Sequence, residues 1–336
     1  MRYMCLLRPH ANSRYQASVM PLACAETCAL LRRAGREAEV EVVRRAGIDW
    51  IEFECEALDE RGLAEIRRSA HLYLIAEAHE SGMMQPVASS EEAYLGEDLP
   101  YVLKYKGKTN ETFTRFMINM ALCAGSFPED QPLRLLDPMC GRGTTLFEAL
   151  NRGWHAAGMD VLGADVEEAS RFFKKYLEFH RIKHAASKKS MTAKGKEAAV
   201  LQVYEFARDA AEFKAGNTRT LQLTCMNSER VCQLWSKPQF HLIAADLPYG
   251  VQHGPGGQRG KTLQQMVKDV LPAWKKVLLP GGAMALSFNT NTLRLEFVRQ
   301  AMAEAGLRVM EGGEYDGLAH WVEQAITRDI AVAVRE

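Results

Sequence analysis

No stretch of about eighteen apolar residues occurs in this chain of 336 residues, so no membrane-spanning helix is expected. The apolar stretch at the start is short and ends at Arg8, which argues against a signal peptide. The eight cysteines, at 5, 24, 28, 55, 123, 140, 225 and 232, form no CxxC pair and no disulfide framework. Cys24 and Cys28 share the spacing of one helical face and are expected simply to pack. A reducing cytoplasm is the compartment this cysteine usage suggests. HExxH is absent, so no metal site is expected. GxGxxG and a P-loop lysine are absent too. Net charge is zero, so the chain as a whole carries no basic signature for nucleic acid. Against these absences stand 47% hydrophobic and 25% charged residues, a composition that excludes wholesale disorder.

The charges that cancel overall are unevenly placed. Every lysine lies from Lys104 onward. Up to Asp98 acidic residues outnumber arginines by 6, and the remainder has a basic excess of 6. A polyanion should therefore meet the second part first. The reading is of two domains: residues 1–98, a small α+β unit and candidate substrate module, and residues 99–336, an α/β unit. In the first, Tyr3–Leu7 and Trp50–Glu56 read as strands and Leu22–Arg33 as a helix. Leu58–His79 reads as a second helix, with Leu63, Ile66, Leu72 and Ile75 apolar. Residues 81–100 hold Gly, Pro and Ser with little periodicity and are expected to be the linker.

From Leu133 the pattern becomes strand, loop, helix, repeated. Strands are expected at Leu133–Leu136, His155–Met159, Thr220–Cys225, His241–Ala245 and Ala283–Phe288. Helices are expected at Thr144–Leu150, from Asp160 to His180, at Leu263–Leu279 and at Leu293–Ala305. Two closing strands are expected within 307–310 and 325–334. Before them, Asn110 can cap a helix carrying Phe113, Phe116, Met117 and Met120. Alternating βα units imply a parallel sheet covered on both faces, with ligands at the carboxyl ends of its strands. Asp137, Asp160, Asn227 and Asp246 sit at four such ends.

Three of these ends carry chemistry. In Leu135-Leu-Asp-Pro-Met-Cys-Gly-Arg-Gly-Thr-Thr145, Gly141 and Gly143 allow a tight turn and close approach of a ligand to the backbone. Asp160, 23 positions past Asp137, stands where a ribose hydroxyl pair is usually held. In Ala245-Asp-Leu-Pro-Tyr-Gly250, a carboxylate, a proline carbonyl and an aromatic ring can grip a planar exocyclic amine.

Asp-Pro-x-Cys-Gly-x-Gly-Thr followed by Asp-Leu-Pro-Tyr-Gly resembles the S-adenosylmethionine-dependent RNA methylases that modify guanosine N2, in particular the tRNA guanine-N2 methyltransferases of the guanine-10 type. Lys104–Asn110 with Phe113-Thr114, and the ending His320–Ile330, are similar to that group as well. The resemblance covers about residues 101–336. It implies a Rossmann-like, seven-stranded sheet with strand seven antiparallel. It also implies cofactor contacts from the Asp137-Pro138 turn, Gly141, Gly143, Thr144, Asp160, Asn227 and Asp246, and target-base contacts from Asp246, Pro248 and Tyr249. Arg142 and Leu247 depart from the family pattern, and Arg142 is expected either to reach toward RNA or to alter the cofactor loop.

Two further stretches are suggestive. Arg171–Lys196 holds nine Lys or Arg and one Glu, suited to an RNA backbone or to a solvated face. Gly250–Lys261, with five glycines, reads as a mobile loop over the target base. The expectation is thus a methyltransferase using S-adenosylmethionine on an exocyclic base amine, most of all guanosine N2 in tRNA or rRNA. The alternatives are a DNA adenine-N6 or cytosine-N4 methyltransferase, a nucleotide-binding oxidoreductase and a non-catalytic RNA-binding module. The glycine turn precedes the amine motif by 109 residues, the order that favours RNA.

Overall fold

The computed structural model describes residues 1–10, 12–89, 92–105, 107–128, 131–193, 196–248 and 262–336. The first unit contains β1 (Arg2–Leu7), α1 (Ser13–Ser18), α2 (Met20–Arg33), β2 (Val40–Arg45), β3 (Ile48–Glu54), α3 (Glu60–Arg67), β4 (Leu72–Ala78) and β5 (Met84–Ser89). Its five strands form an antiparallel sheet in the order β2-β3-β1-β4-β5. Tyr3, Cys5, Ile51, Phe53 and Ile75 pack from the sheet against Leu30 and Leu31 of α2 and Ile66 of α3.

Two expectations are corrected here. Leu58–His79 is not one helix: α3, capped by Asp59 on the Gly62 amide at 2.8 Å, ends at Arg67, and β4 follows. A bulge caused the misreading. Leu72 pairs with Leu7 and Leu74 with Leu6, so Tyr73 is extra and stands 55% exposed. Leu72 and Ile75 then both face inward at three-residue spacing, which imitates a helix. Residues 81–100 are not all linker either, because β5 pairs with β4 there. It is an edge strand containing Pro86, with an exposed start, so it lacks apolar periodicity.

The second unit runs through α4 (Leu99–Val102), α5 (Glu111–Ala124), β6 (Arg134–Asp137), α6 (Thr144–Asn151), β7 (His155–Asp160) and α7 (Gly163–Phe179). Then come β8 (His184–Ala193), β9 (Lys196–Phe206), α8 (Ala210–Ala215), β10 (Arg219–Cys225), α9 (Val231–Leu234) and β11 (Phe240–Asp246). It closes with α10 (Leu263–Val277), β12 (Leu278–Asn289), α11 (Leu295–Glu304), β13 (Arg308–Val309), β14 (His320–Glu323) and β15 (Ile326–Val334). The sheet order is β13-β15-β12-β11-β6-β7-β10-β9-β8, with β14 on β15. β10, β7, β6, β11 and β12 are parallel, and β15 runs antiparallel to β12 and β13. These seven strands are the expected Rossmann-like set. β8, β9 and β14 are additions that periodicity did not reveal: Ala185–Ser190 of β8 is exposed throughout, so no alternation marks it.

The units share a core. Leu22 and Ala29 of α2 pack in one cluster with Phe113, Phe116 and Met117 of α5. At this joint Glu26, fully buried, accepts hydrogen bonds from Ser69 Oγ (2.7 Å), the Ala70 amide (3.0 Å) and Asn119 Nδ2 (2.6 Å), and meets His71 Nδ1 at 2.9 Å. Burial pushes its carboxyl up, but His71, Asn119 and Ser69 outweigh burial and hold it below the usual range. The chain passes between the units in the segment 92–98, yet packing makes them continuous.

Candidate active site

The edge begins at Asp137, which closes the buried β6 strand. Asp137 is only 3% exposed and accepts the Met139 amide at 3.0 Å and the Thr145 side chain. Burial raises its carboxyl to about 7, and the neighbouring Asp160 and Asp246 add to the shift. Buried Pro138 turns the chain, and the Cys140 amide donates to Met159 O at 3.0 Å, fastening the loop to β7. Gly141 (φ +48°) and Gly143 (φ +91°) take left-handed backbone angles, and Gly143 caps α6. A Cβ at Gly141 would meet no heavy atom within 4 Å, so that face of the loop is open. Behind it, a Cβ on Gly158 would lie 2.4 Å from Leu146 Cδ1 and 2.8 Å from Cys140 Sγ; only glycine lets β7 pass so close.

Asp160 ends β7. Its two oxygens accept the Gly141 amide at 2.8 Å and the Leu162 amide at 2.9 Å. Burial raises its carboxyl despite those bonds. Each oxygen keeps a further lone-pair direction for a hydroxyl. Beside it Val161 and Leu162 stand 51% and 38% exposed, apolar surface at a ligand edge. Asn227, past the end of β10, accepts the Glu229 amide at 2.9 Å.

Across β6, Asp246 ends β11. Ser287 Oγ donates to its Oδ1 at 2.8 Å, Thr109 Oγ1 donates to its Oδ2 at 2.6 Å, and Arg328 Nη2 lies 3.5 Å from Oδ2. Arg328 is itself buried and stacks on the Phe113 ring at 4.7 Å. The Asp246 side chain is 17% exposed, so it is anchored but reachable. Pro248 is exposed just beyond. The segment before α5 spans the two halves: Tyr105 Oη meets Thr144 Oγ1 at 3.2 Å, and Thr109 reaches Asp246.

The structure therefore brings Asp137, Pro138, Gly141, Gly143, Thr144, Asp160, Asn227, Asp246 and Pro248 to one edge. Tyr249 and the loop Gly250–Lys261 lie outside the described residues, as does Lys106. Arg142 does not reach outward. It pairs with Asp165 (2.9 Å) and Glu168 (3.0 Å) of α7 and covers the Tyr105 ring, bracing the glycine loop. Sequence reasoning did not single out Thr109, Ser287 and Arg328. Thr109 and Arg328 lie inside stretches that carry the resemblance, while nothing in sequence marks Ser287.

The edge suits S-adenosylmethionine. The open face at Gly141, two carboxylates and the apolar pair Val161–Leu162 offer close backbone approach, acceptors for hydroxyls and cationic groups, and a surface for a flat ring. Among the described residues, no group of three or more His, Cys, Asp or Glu could hold a metal ion.

The family comparison agrees with this architecture. The family described as "RMKL-like, methyltransferase domain" matches residues 102–314. Among solved structures, TrmN from Thermus thermophilus is similar at 15% identity and TM-score 0.44, over 89% of this chain and 60% of that one. The chain thus spans about three fifths of that neighbour's length. A TehB-like SAM-dependent methyltransferase from Corynebacterium glutamicum is similar at 14% identity and TM-score 0.35, over 61% of this chain and 82% of that one. Magnesium protoporphyrin IX methyltransferase (ChlM) from Synechocystis PCC 6803 with bound SAH is similar at 11% identity and TM-score 0.41, over 69% and 90%. No curated protein matches the sequence.

Proposed function

The chain belongs to the RMKL-like methyltransferase domain family, S-adenosylmethionine-dependent enzymes of the RNA-methylase type, and from that premise we propose that it methylates guanosine N2 in tRNA or rRNA. When bound, the donor supplies an electrophilic methyl group on a sulfonium. The chain's own residues do the positioning, which is most of the catalysis when the donor is already activated. Asp246 accepts a hydrogen bond from the target amine while Ser287, Thr109 and Arg328 fix the carboxylate. The Pro248 carbonyl serves as second acceptor and Tyr249 as stacking ring. With both amine hydrogens held, the nitrogen lone pair faces the methyl. The donor would supply the methyl for the new N–C bond and keep the electrons of its S–C bond, and the proton the amine sheds would pass to solvent beside the partly exposed Asp246. Asp137, Pro138, Gly141, Gly143, Thr144, Asp160 and Asn227 hold the donor in this reading.

The observation that carries the proposal is the anchored, partly exposed Asp246 on the same edge as the glycine loop. In the same proposal the setting is a reducing cytoplasm. The acidic unit of residues 1–98 contributes to substrate placement through its joint with α5, not through direct phosphate contact. Nucleoside mass spectrometry tests it: purified protein, labelled donor and unmodified tRNA, rRNA or duplex DNA. Label in N2-methylguanosine is expected. Label in N6-methyladenine or N4-methylcytosine of DNA would overturn the RNA reading.

A further inference from the structure

The β8–β9 hairpin is inserted between α7 and β10 and extends the sheet past its β10 edge. Its register shows where it points. β10 runs parallel to β7, with Cys225 opposite Asp160, so its end is level with the candidate site. β9 is antiparallel to β10, and the final pair is Thr224 with Leu201. Residues 196–200 of β9 therefore lie past the end of that ladder, on the ligand side. At ~3.3 Å per residue the overhang is about 16 Å. β8 follows it, with Lys189 opposite Leu201 and Ala193 opposite Lys196.

The hairpin is one-sided in packing and in charge. β9 is inserted into the body: Tyr204 and Phe206 pack against Phe173 of α7. β8 is exposed at every position from Ala185 to Ser190, including Lys188 and Lys189. From Arg181 to Lys196 the sequence has six Lys or Arg and no Asp or Glu. In sheet steps β8 stands five strands from β11, roughly 24 Å at ~4.8 Å per strand. That is about seven nucleotides of a helical strand at ~3.4 Å each. A target base at Asp246 would thus leave a flanking phosphate backbone at β8.

We propose that the β8–β9 hairpin is an RNA docking arm, whose Lys188 and Lys189 contact the phosphate backbone about half a helical turn or more from the methylated base. The proposal rests on the RNA reading above. A competing role for these lysines is to blunt an edge strand against pairing with another chain. Charge of either sign blunts an edge, whereas only positive charge holds phosphate, so charge reversal separates the two.

The experiment uses the full chain, the double variant Lys188→Glu/Lys189→Glu and its Gln counterpart, with unmodified tRNA transcripts as probe. The expected result is RNA binding about tenfold weaker at low salt for the Glu variant, with a salt slope reduced by roughly one to two for the Gln variant. KM for full-length tRNA should rise, while kcat, S-adenosylmethionine affinity and the elution volume of the protein stay unchanged. A short RNA of about four nucleotides should not distinguish the variants. Unchanged affinity and slope in both variants would overturn the docking arm. A reversed-charge variant that stays soluble with normal RNA binding, beside a Gln variant that aggregates, would return the lysines to edge protection. Wild-type protein that binds no RNA at any salt would instead count against the parent reading.

Discussion

The two halves of the ligand edge are built in opposite ways. The half at Asp137, Gly141 and Asp160 is held by its own backbone: amides of Met139, Gly141 and Leu162 meet carboxylates within 26 residues of sequence. The half at Asp246 is held by side chains from Thr109, Ser287 and Arg328, three segments that are distant in sequence. Backbone contacts depend on glycine and chain path, so they survive most side-chain changes. Side-chain contacts meet only when the sheet, the β15 strand and the segment before α5 are all in place. Donor binding should therefore be the robust function of this edge, and amine positioning the one sensitive to remote substitution.

The largest expected effect lies in the second half. Asp246→Ala removes a preorganised acceptor without deleting core volume. Single-turnover methyl transfer with saturating donor should fall on the order of a hundredfold or more. Donor affinity should hold, while thermal stability should fall because buried Arg328 loses this carboxylate. Ser287→Ala and Thr109→Val should each lose a smaller factor, and combining either with Asp246→Ala should add nothing. A near-normal rate for Asp246→Ala would mean that the amine is held elsewhere.

A smaller effect is expected in the first half. Charge-assisted hydrogen bonds to a carboxylate are worth about 1.5–3 kcal/mol, so Asp160→Ala should weaken S-adenosylmethionine binding at least roughly tenfold by calorimetry. It should also loosen the Gly141 loop, seen as faster amide exchange at Gly141. Unchanged affinity would remove Asp160 from the donor site.

The smallest effect concerns pH. Asp137 ionises at about 7 in the folded chain, raised by burial, whereas an unperturbed aspartate ionises near ~3.9. A protonated Asp137 is neutral and an ionised one attracts the donor's cationic groups. Donor affinity should therefore rise with pH between about 5.5 and 7, by at most ~tenfold per unit, and level off above. Asp137→Asn should flatten that profile. A profile that is flat in the wild type, or equally steep in Asp137→Asn, would assign the dependence to another group.

How much of this was legible follows from the same contrast. The glycine turn, Asp160 and Asp246 were readable because each closes an apolar strand, and the parallel pattern placed those ends together. The helix capped by Asn110 was readable too, and its side chain accepts the Phe113 amide at 3.1 Å. The bulged β4, the edge strand β5 and the exposed β8 were not, because each breaks the two-residue alternation by which a strand is recognised.

Sequence alone determined the strand ends and the residue types standing on them, since local patterning depends on neighbours a few positions away. Only the tertiary structure decided that Arg328 and Ser287 would flank Asp246, that Glu26 would weld the first unit to α5, and that the hairpin would overhang the ligand edge. Those are products of strand order and register. Both are set by which apolar faces pack together across the whole fold, and no short window of residues contains that information.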